Sequence, residues 1–188
     1  LINIRGGLSY QAKFIGSGKH LVTMGCISPF ERFNYSGLKK YSGPFKEQHL
    51  LKENDIVLST RDVTLDRITL GAPAIIPKTL DGSILATNMY KVINEKNISP
   101  FFLLEIFRSQ KYRKNIVSSS KGSTVLMLTR DDVLNYKILI PTENKLNKFH
   151  SIMEKINFKI QCLIDETKSL NNLRDIIIPN LLSNKFKI

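Results

Sequence analysis

The sequence has 188 residues and a mass of 21.4 kDa, with 42% hydrophobic and 23% charged side chains. A chain of this length buries about two-thirds of its unfolded surface, so it can fold without disulfide or metal staples, and wholesale disorder or a fibrous habit is excluded. Its 28 Lys and Arg against 16 Asp and Glu give a formal charge of +12, a field that attracts polyanions. Nucleic acid is the leading partner, with a merely solvated basic surface as the plain alternative. The two cysteines, Cys26 and Cys162, lie far apart without ligand-like spacing, so neither a disulfide scaffold nor a zinc site is expected. A reducing cytoplasm is the expected compartment. No apolar run approaches the roughly 18 residues that span a bilayer, so no membrane partner is expected. The opening on Leu1, already in strand pattern, reads as a chain that continues upstream.

Residues 1–142 read as short strands separated by turn chemistry. The runs 20–27 (HLVTMGCI), 55–60 (DIVLST), 68–76 (ITLGAPAII), 84–93 (ILATNMYKVI) and 136–140 (YKILI) are rich in β-branched residues and mostly bounded by Gly, Pro, Asn or Asp. The expected fold class is α+β, a small mixed sheet or barrel-like unit with short helices. Residues 1–142 also hold most of the charge excess, 20 Lys or Arg against 11 Asp or Glu, and so form the candidate nucleic-acid-binding domain. Between the first two strands, residues 28–54 carry Phe, Tyr, Lys, Gly and Pro with no sustained period, and a loop that long is more often functional than idle.

That loop supplies the candidate contacts Arg32, Asn34, Tyr35, Lys39, Lys40, Tyr41 and Lys46. Arg61 and Arg67 follow the 55–60 strand, and Lys121 with Ser123 flanks a glycine further on. Lys and Arg on phosphates give affinity, whereas Arg on guanine and Asn on adenine give sequence choice. Tyr35 and Tyr41 can stack or bond a phosphate, or else pack half-buried.

One helix is expected from Pro100, capped by Ser99, with Phe101, Phe102, Leu104, Ile106 and Phe107 on its buried face. Its late cations Arg108, Lys111, Arg113 and Lys114 oppose the negative end of the helix dipole, which competes with any phosphate contact. A second short helix starts at Thr129, where Thr129-Arg130-Asp131-Asp132 has the capping-box spacing.

From Glu143 the period changes. Leu146, Phe149, Met153, Ile156, Ile160, Leu163, Thr167, Leu170, Arg174 and Ile177 follow one another at alternating steps of 3 and 4, an unbroken heptad seam. With Thr142 as cap and Pro179 as stop, the spacing predicts a helix of about 36 residues, on the order of 54 Å long. A seam of that length stays bare unless another helix covers it, so residues 143–188 are the expected dimerisation or partner-helix segment. Leu146, Phe149, Met153, Ile156, Ile160, Leu163, Leu170 and Ile177 form its contact face. Thr167 and Arg174, which interrupt the apolar run, are candidates for setting register.

Enzyme motifs fail one by one. Gly16-Ser17-Gly18-Lys19-His20 lacks the first Gly and the final Ser or Thr of a phosphate loop. Asp165-Glu166-Thr167-Lys168 sits on the heptad helix with no acidic partner from a strand, and His20, His49 and His150 are isolated from other ligand-type residues. No catalytic residue and no metal site is expected in this chain.

Taken in order, several fragments resemble one family. These are residues 22–27, Leu51-Lys52-Glu53-Asn54-Asp55-Ile56-Val57-Leu58-Ser59-Thr60, Leu70-Gly71-Ala72, Thr87-Asn88, Ser99-Pro100-Phe101-Phe102-Leu103, Lys121-Gly122-Ser123-Thr124, Leu128-Thr129-Arg130-Asp131-Asp132-Val133-Leu134 and Ile138-Leu139-Ile140-Pro141. Their order and spacing are similar to the DNA specificity subunits of type I restriction-modification systems, over one target recognition domain and one spacer helix. The chain departs from the usual pattern at the spacer start, with a single Pro141 and no Gln. It also holds one domain and one helix rather than two of each, as a fragment or a half-length form that dimerises would.

The resemblance implies a non-catalytic subunit that reads one half of a two-part site in duplex DNA. It implies methyltransferase and restriction subunits as partners, with S-adenosylmethionine bound by the methyltransferase rather than by this chain. It further implies an antiparallel coiled-coil pairing with a second copy or a second specificity half. Two other readings stay open from the residues alone: the recognition part of a single-chain restriction or methyltransferase enzyme, and a non-specific nucleic-acid-binding coiled-coil protein.

Overall fold

A computed structural model describes residues 1–28, 32–62, 68–119 and 126–182. The strands are β1 (Ile2–Gly6), β2 (Ile15–Val22), β3 (Lys39–Tyr41), β4 (Ile56–Ser59), β5 (Arg61–Asp62), β6 (Pro73–Ile75), β7 (Ile84–Leu85), β8 (Met89–Asn94) and β9 (Leu126–Met127). The α-helices are α1 (Pro100–Arg108), α2 (Gln110–Ser119), α3 (Arg130–Leu134) and α4 (Glu143–Leu182). The chain divides into two units, Leu1–Leu146 and Asn147–Ile188.

In the first unit, the continuous apolar run of β4 is buried at all four residues and sits inside an antiparallel sheet of order β1-β8-β4-β6. Register follows from hydrophobic matching. Ile4, Val92, Ile56 and Ile75 lie opposite one another across the four strands, each at most 4% exposed. Slipping any strand by one residue would turn its member of that row to the other face. A second sheet, β3-β2-β7, pairs β2 antiparallel with β3 and parallel with β7, and β5 pairs with β9. The fold is mixed α+β, and the described strands form open sheets rather than the barrel-like closure expected from the sequence.

Two apolar clusters among the described residues bracket β2. One gathers Val22, Cys26, Phe33, Leu51, Val57, Ile76, Leu85 and Met89, and the other gathers Leu21, Tyr41, Ile84 and Ala86. Adjacent residues of one strand, Leu21 and Val22, enter different clusters because their side chains leave β2 on opposite faces.

Several expected elements are corrected. The 84–93 run is two strands, because Asn88 adopts a positive φ of 62° and breaks the extension between β7 and β8. The 20–27 run leaves strand geometry at Val22 and continues as a 3-10 turn over Met24–Cys26, capped by the Thr23 hydroxyl. Only Pro73–Ile75 of 68–76 is strand, and 136–140 is not strand at all, with Leu139 92% exposed.

The single helix expected from Pro100 is α1 and α2, separated at Ser109. That residue is extended (φ −62°, ψ 143°), and its hydroxyl accepts from the Tyr112 N–H at 3.2 Å, capping the second helix. Ser99 occupies the cap position of α1 without a side-chain cap bond. The capping box at α3 is present, with Thr129 Oγ1 accepting from Asp132 N–H and Asp132 Oδ2 accepting from Thr129 N–H at 2.8 Å.

The described part of the second unit belongs to α4, which is 40 residues long, about 60 Å at 1.5 Å per residue. It begins at Glu143, and the Thr142 carbonyl accepts from Leu146 N–H at 3.0 Å. Pro179 lies inside the helix rather than ending it. A proline there removes one backbone donor, and the side-chain amide of the next residue, Asn180, donates to the Ile176 carbonyl at 2.7 Å.

Candidate nucleic-acid interface

Several exposed cations of the first unit gather where β2 and β3 run past the interior. In β2, residues 16–20 are exposed, and Leu21 and Val22 are fully buried, so the strand is anchored at one end and open at the other. The ladder is irregular at the open end. Tyr41 lies opposite both Ile15 and Lys19, which extrudes Gly16, Ser17 and Gly18 as a bulge.

The two glycines allow this. Gly16 and Gly18 have φ of +126° and +90°, and a Cβ on Gly18 would meet the Tyr41 carbonyl oxygen at 2.4 Å. Beyond the bulge, His20 lies opposite Lys40 and Leu21 opposite Lys39, with His20, Lys39 and Lys40 exposed. Lys19 is exposed beside them, and Lys13 lies just upstream, its ammonium 5.0 Å from the Phe14 ring centroid. The open end of β2 with β3 is thus a short two-stranded ribbon whose exposed lysines flank the bulge, a shape that the major groove of B-DNA admits.

The expected contact residues divide into those facing solvent and those serving the fold. Lys39, Lys40 and Lys46 are exposed, and Arg61 is half-buried in β5, opposite Met127. Tyr41 is only 3% exposed. Its ring packs edge-on against Tyr10 and Phe14 with centroids 6.2 and 6.0 Å away, so stacking on a base would require breaking this cluster. Tyr35 is half-buried, edge-on to Phe33 at 5.1 Å.

Arg32 bonds Glu105 on α1 at 3.0 Å, and its carbonyl accepts from Ile75 N–H. Burial lowers its pKa, and Glu105 opposes that shift. Asn34 caps a 3-10 turn, accepting from Ser36 N–H and donating to the Gly25 carbonyl at 3.1 Å. Arg32, Asn34 and Tyr41 therefore shape the loop from within. Arg67, Lys121 and Ser123 lie outside the described residues.

The late helix cations also separate. Arg113 donates to the carbonyls of Leu70 and Ile68, the second at 2.7 Å, and Asp62 Oδ2 accepts from Thr69 and Leu70 N–H at 2.7 and 3.0 Å. One backbone turn is thus held by an acid on its donors and a base on its acceptors. Lys111 and Lys114 remain exposed. Desolvation lowers the Arg113 pKa, partly offset by Tyr112 and Asp62.

The second unit offers a different surface. No residue of α4 is buried, and the exposed apolar side chains of the seam include Ile156, Leu163, Leu170 and Ile177. Leu146, Phe149, Met153 and Ile160 on the same seam are half-buried. Ile160, Leu163, Ile164 and Thr167 line a shallow, mostly apolar depression along the helix. Thr167 turns its hydroxyl onto the Leu163 carbonyl at 2.7 Å, and Arg174 pairs with Asp175. Among the described residues no helix is long and apolar enough to cross a membrane.

A family model for the type I restriction modification DNA specificity domain matches residues 6–177. The chain belongs to that family. Within it, the chain is 29% identical over 171 residues to the type I restriction enzyme MjaIX specificity subunit of Methanocaldococcus jannaschii, covering 90% of this chain and 37% of that protein.

Among solved structures, the specificity-domain fold recurs in the type I restriction-modification S subunit from M. genitalium. That match has a TM-score of 0.66 at 13% identity, over 97% of this chain and 43% of the other. It recurs in a structure on complex assembly and conformational transition of the type I system, with a TM-score of 0.58 at 16% identity, over 95% and 43%. The HsdS subunit from Thermoanaerobacter tengcongensis gives 0.52 at 17% identity, over 84% and 39%. The chain therefore spans about two-fifths of the length of these specificity subunits.

Sequence reasoning missed Lys13, Lys19 and His20 as members of the specificity domain's cationic ribbon. The signal for them is the glycine pair at 16 and 18, which fails as a phosphate loop but also marks a bulge inside a strand.

Proposed function

We propose that this chain is a DNA-addressing half of a type I restriction-modification specificity subunit. Residues 1–142 act as the target recognition domain and read one half of a bipartite duplex site. Residues 143–188 act as the spacer, paired antiparallel with a second copy or with another specificity half. The pair then docks methyltransferase and restriction subunits in the cytoplasm. Methylation of adenine with S-adenosylmethionine, and cleavage, belong to those partners. This chain supplies no catalytic group.

One observation carries the reading. A single chain of this family couples a cationic ribbon to a 40-residue helix with no buried residue. The ribbon accounts for attraction to DNA, since each lysine placed on a phosphate releases counterions and adds salt-sensitive affinity. The bare seam accounts for partnering, since apolar surface of that extent on a soluble chain is covered in use. A rod of about 60 Å also sets the distance between two recognition domains, on the scale of one to two turns of duplex.

The test is selection of bound duplexes from a random pool in the presence of the methyltransferase partner. The expected product is an enriched motif of two half-sites with a fixed gap. Enrichment of no motif, or equal competition by RNA at physiological salt, would contradict the proposal.

A further inference from the structure

We infer that the extruded bulge Gly16-Ser17-Gly18, with His20 beside it, is the base-reading tip of the recognition domain, and that Lys39 and Lys40 hold the phosphates around it. The inference rests on the DNA-reading function proposed above and adds the residues that choose the sequence. Three features of the ribbon converge on it.

First, the bulge has a cost that the fold does not explain. Two glycines with φ of +126° and +90° and a ladder in which Tyr41 faces both Ile15 and Lys19 interrupt a strand whose other end is fully buried. A regular β2 would pair more completely with β3. Such bulges re-aim side chains.

Second, the flanking glycines leave only backbone on either side of Ser17. Nothing lies within 4 Å of where a Gly16 Cβ would stand, so that flank is open for close approach. The Ser17 hydroxyl both donates and accepts, which suits the edge of either purine in the major groove.

Third, the charge is arranged around the tip rather than on it. His20 and Lys40 are directly opposed and so share one face of the ribbon, whereas Lys39 lies opposite Leu21 on the other. Leu21 on that second face packs into the interior, and Lys19, Lys39 and Lys40 reach solvent beside the bulge, placed to meet backbone phosphates around it. Positioning contacts stand at the sides and a compact polar group at the apex. Tyr41, buried beneath, braces the bulge: its backbone lies under Gly18, and its hydroxyl donates to the Pro44 carbonyl at 3.4 Å.

The experiment compares the wild-type chain with Ser17→Ala, His20→Ala and the double variant Lys39→Ala/Lys40→Ala. Each is carried through selection from a random duplex pool and then titrated against the wild-type motif and a random duplex of equal length. Far-UV circular dichroism and the melting midpoint report folding, which these exposed substitutions leave intact.

The expected result is that Ser17→Ala or His20→Ala weakens binding to the motif at least tenfold more than binding to random duplex, or selects a motif altered at one or two positions. The lysine double variant is expected to weaken both duplexes by a similar factor. If both single variants select the unchanged motif with unchanged preference over random duplex, the bulge does not read bases and the assignment is overturned, while the recognition function stands. If the wild-type chain enriches nothing, the recognition function fails and takes the assignment with it.

Discussion

The four-stranded sheet and the long helix are built from similar apolar residues and end in opposite conditions. In the sheet, Ile4, Val92, Ile56 and Ile75 find one another within the unit and disappear from solvent. Along α4, Ile156, Leu163, Leu170 and Ile177 are 43–59% exposed. The difference lies in period. A period of two lets a strand close its face against a neighbour a few turns away in the same chain, whereas a heptad seam can be closed only by another helix of matching length. One region closes on itself and the other, on the proposed reading, is closed by a partner helix, so substitutions in the two should fail in different assays.

The largest effect is expected on the helix side. Ile160→Asp places a carboxylate at the middle of the seam once per helix, at a cost on the order of 3–5 kcal/mol for each uncompensated charge. The dimer should weaken by at least about a hundredfold, with light scattering reporting monomer at micromolar concentration and the unfolding of the first unit unchanged. A dimer that survives the substitution would place the interface elsewhere.

On the sheet side, Leu58→Ala removes a side chain with no exposure from the middle strand. It should cost about 2–5 kcal/mol in urea unfolding and leave the mass of the assembly as it was. Loss of the dimer with this variant would show that the two regions are not independent.

A third substitution touches only the surface of the first region. Lys39→Glu/Lys40→Glu should weaken binding to all duplexes alike and reduce the slope of log affinity against log salt by about 2, since each phosphate contact contributes about 0.9. An unchanged slope would remove β3 from the interface.

The smallest effect concerns a buried hydroxyl. Tyr112 is fully buried with its ring against Phe107 and Tyr136, and among the described residues its hydroxyl has no hydrogen-bond partner. Burial pushes the phenol well above its ordinary value. The folded state therefore keeps Tyr112 neutral where the unfolded chain ionises, so its contribution is present below about pH 10 and is lost as pH rises beyond it. Tyr112→Phe should change neutral-pH stability by no more than about 1 kcal/mol and reduce the loss of stability above pH 10.

What the sequence made legible is what depends on near neighbours in the chain. The capping box at Thr129, the heptad seam and the buried β4 run are local patterns with one physical reading each. The misread parts depend on distant partners. Residues 136–140 carry a strand's composition, but among the described residues no strand pairs with them, and Leu139 is left in solvent. β3 is three residues with two lysines, too short and too polar to stand out in a long loop, and it exists because β2 pairs with it.

The candidate contacts divided for the same reason. Lys39 and Lys40 were legible as exposed cations. That Arg32 would be spent on Glu105, Tyr41 on Tyr10 and Phe14, and Arg113 on the turn at Ile68 and Leu70 is set by tertiary neighbours 27 to 73 residues away.

Removing one heptad, residues 160–166, tests most directly whether α4 acts as the proposed ruler between two recognition domains. Seven helical residues are about 10.5 Å, or about three base pairs at 3.4 Å each, and the deletion preserves the seam on either side. The selected motif should keep both half-sites and lose about three base pairs from the gap between them. An unchanged gap in a chain that still pairs would contradict the account.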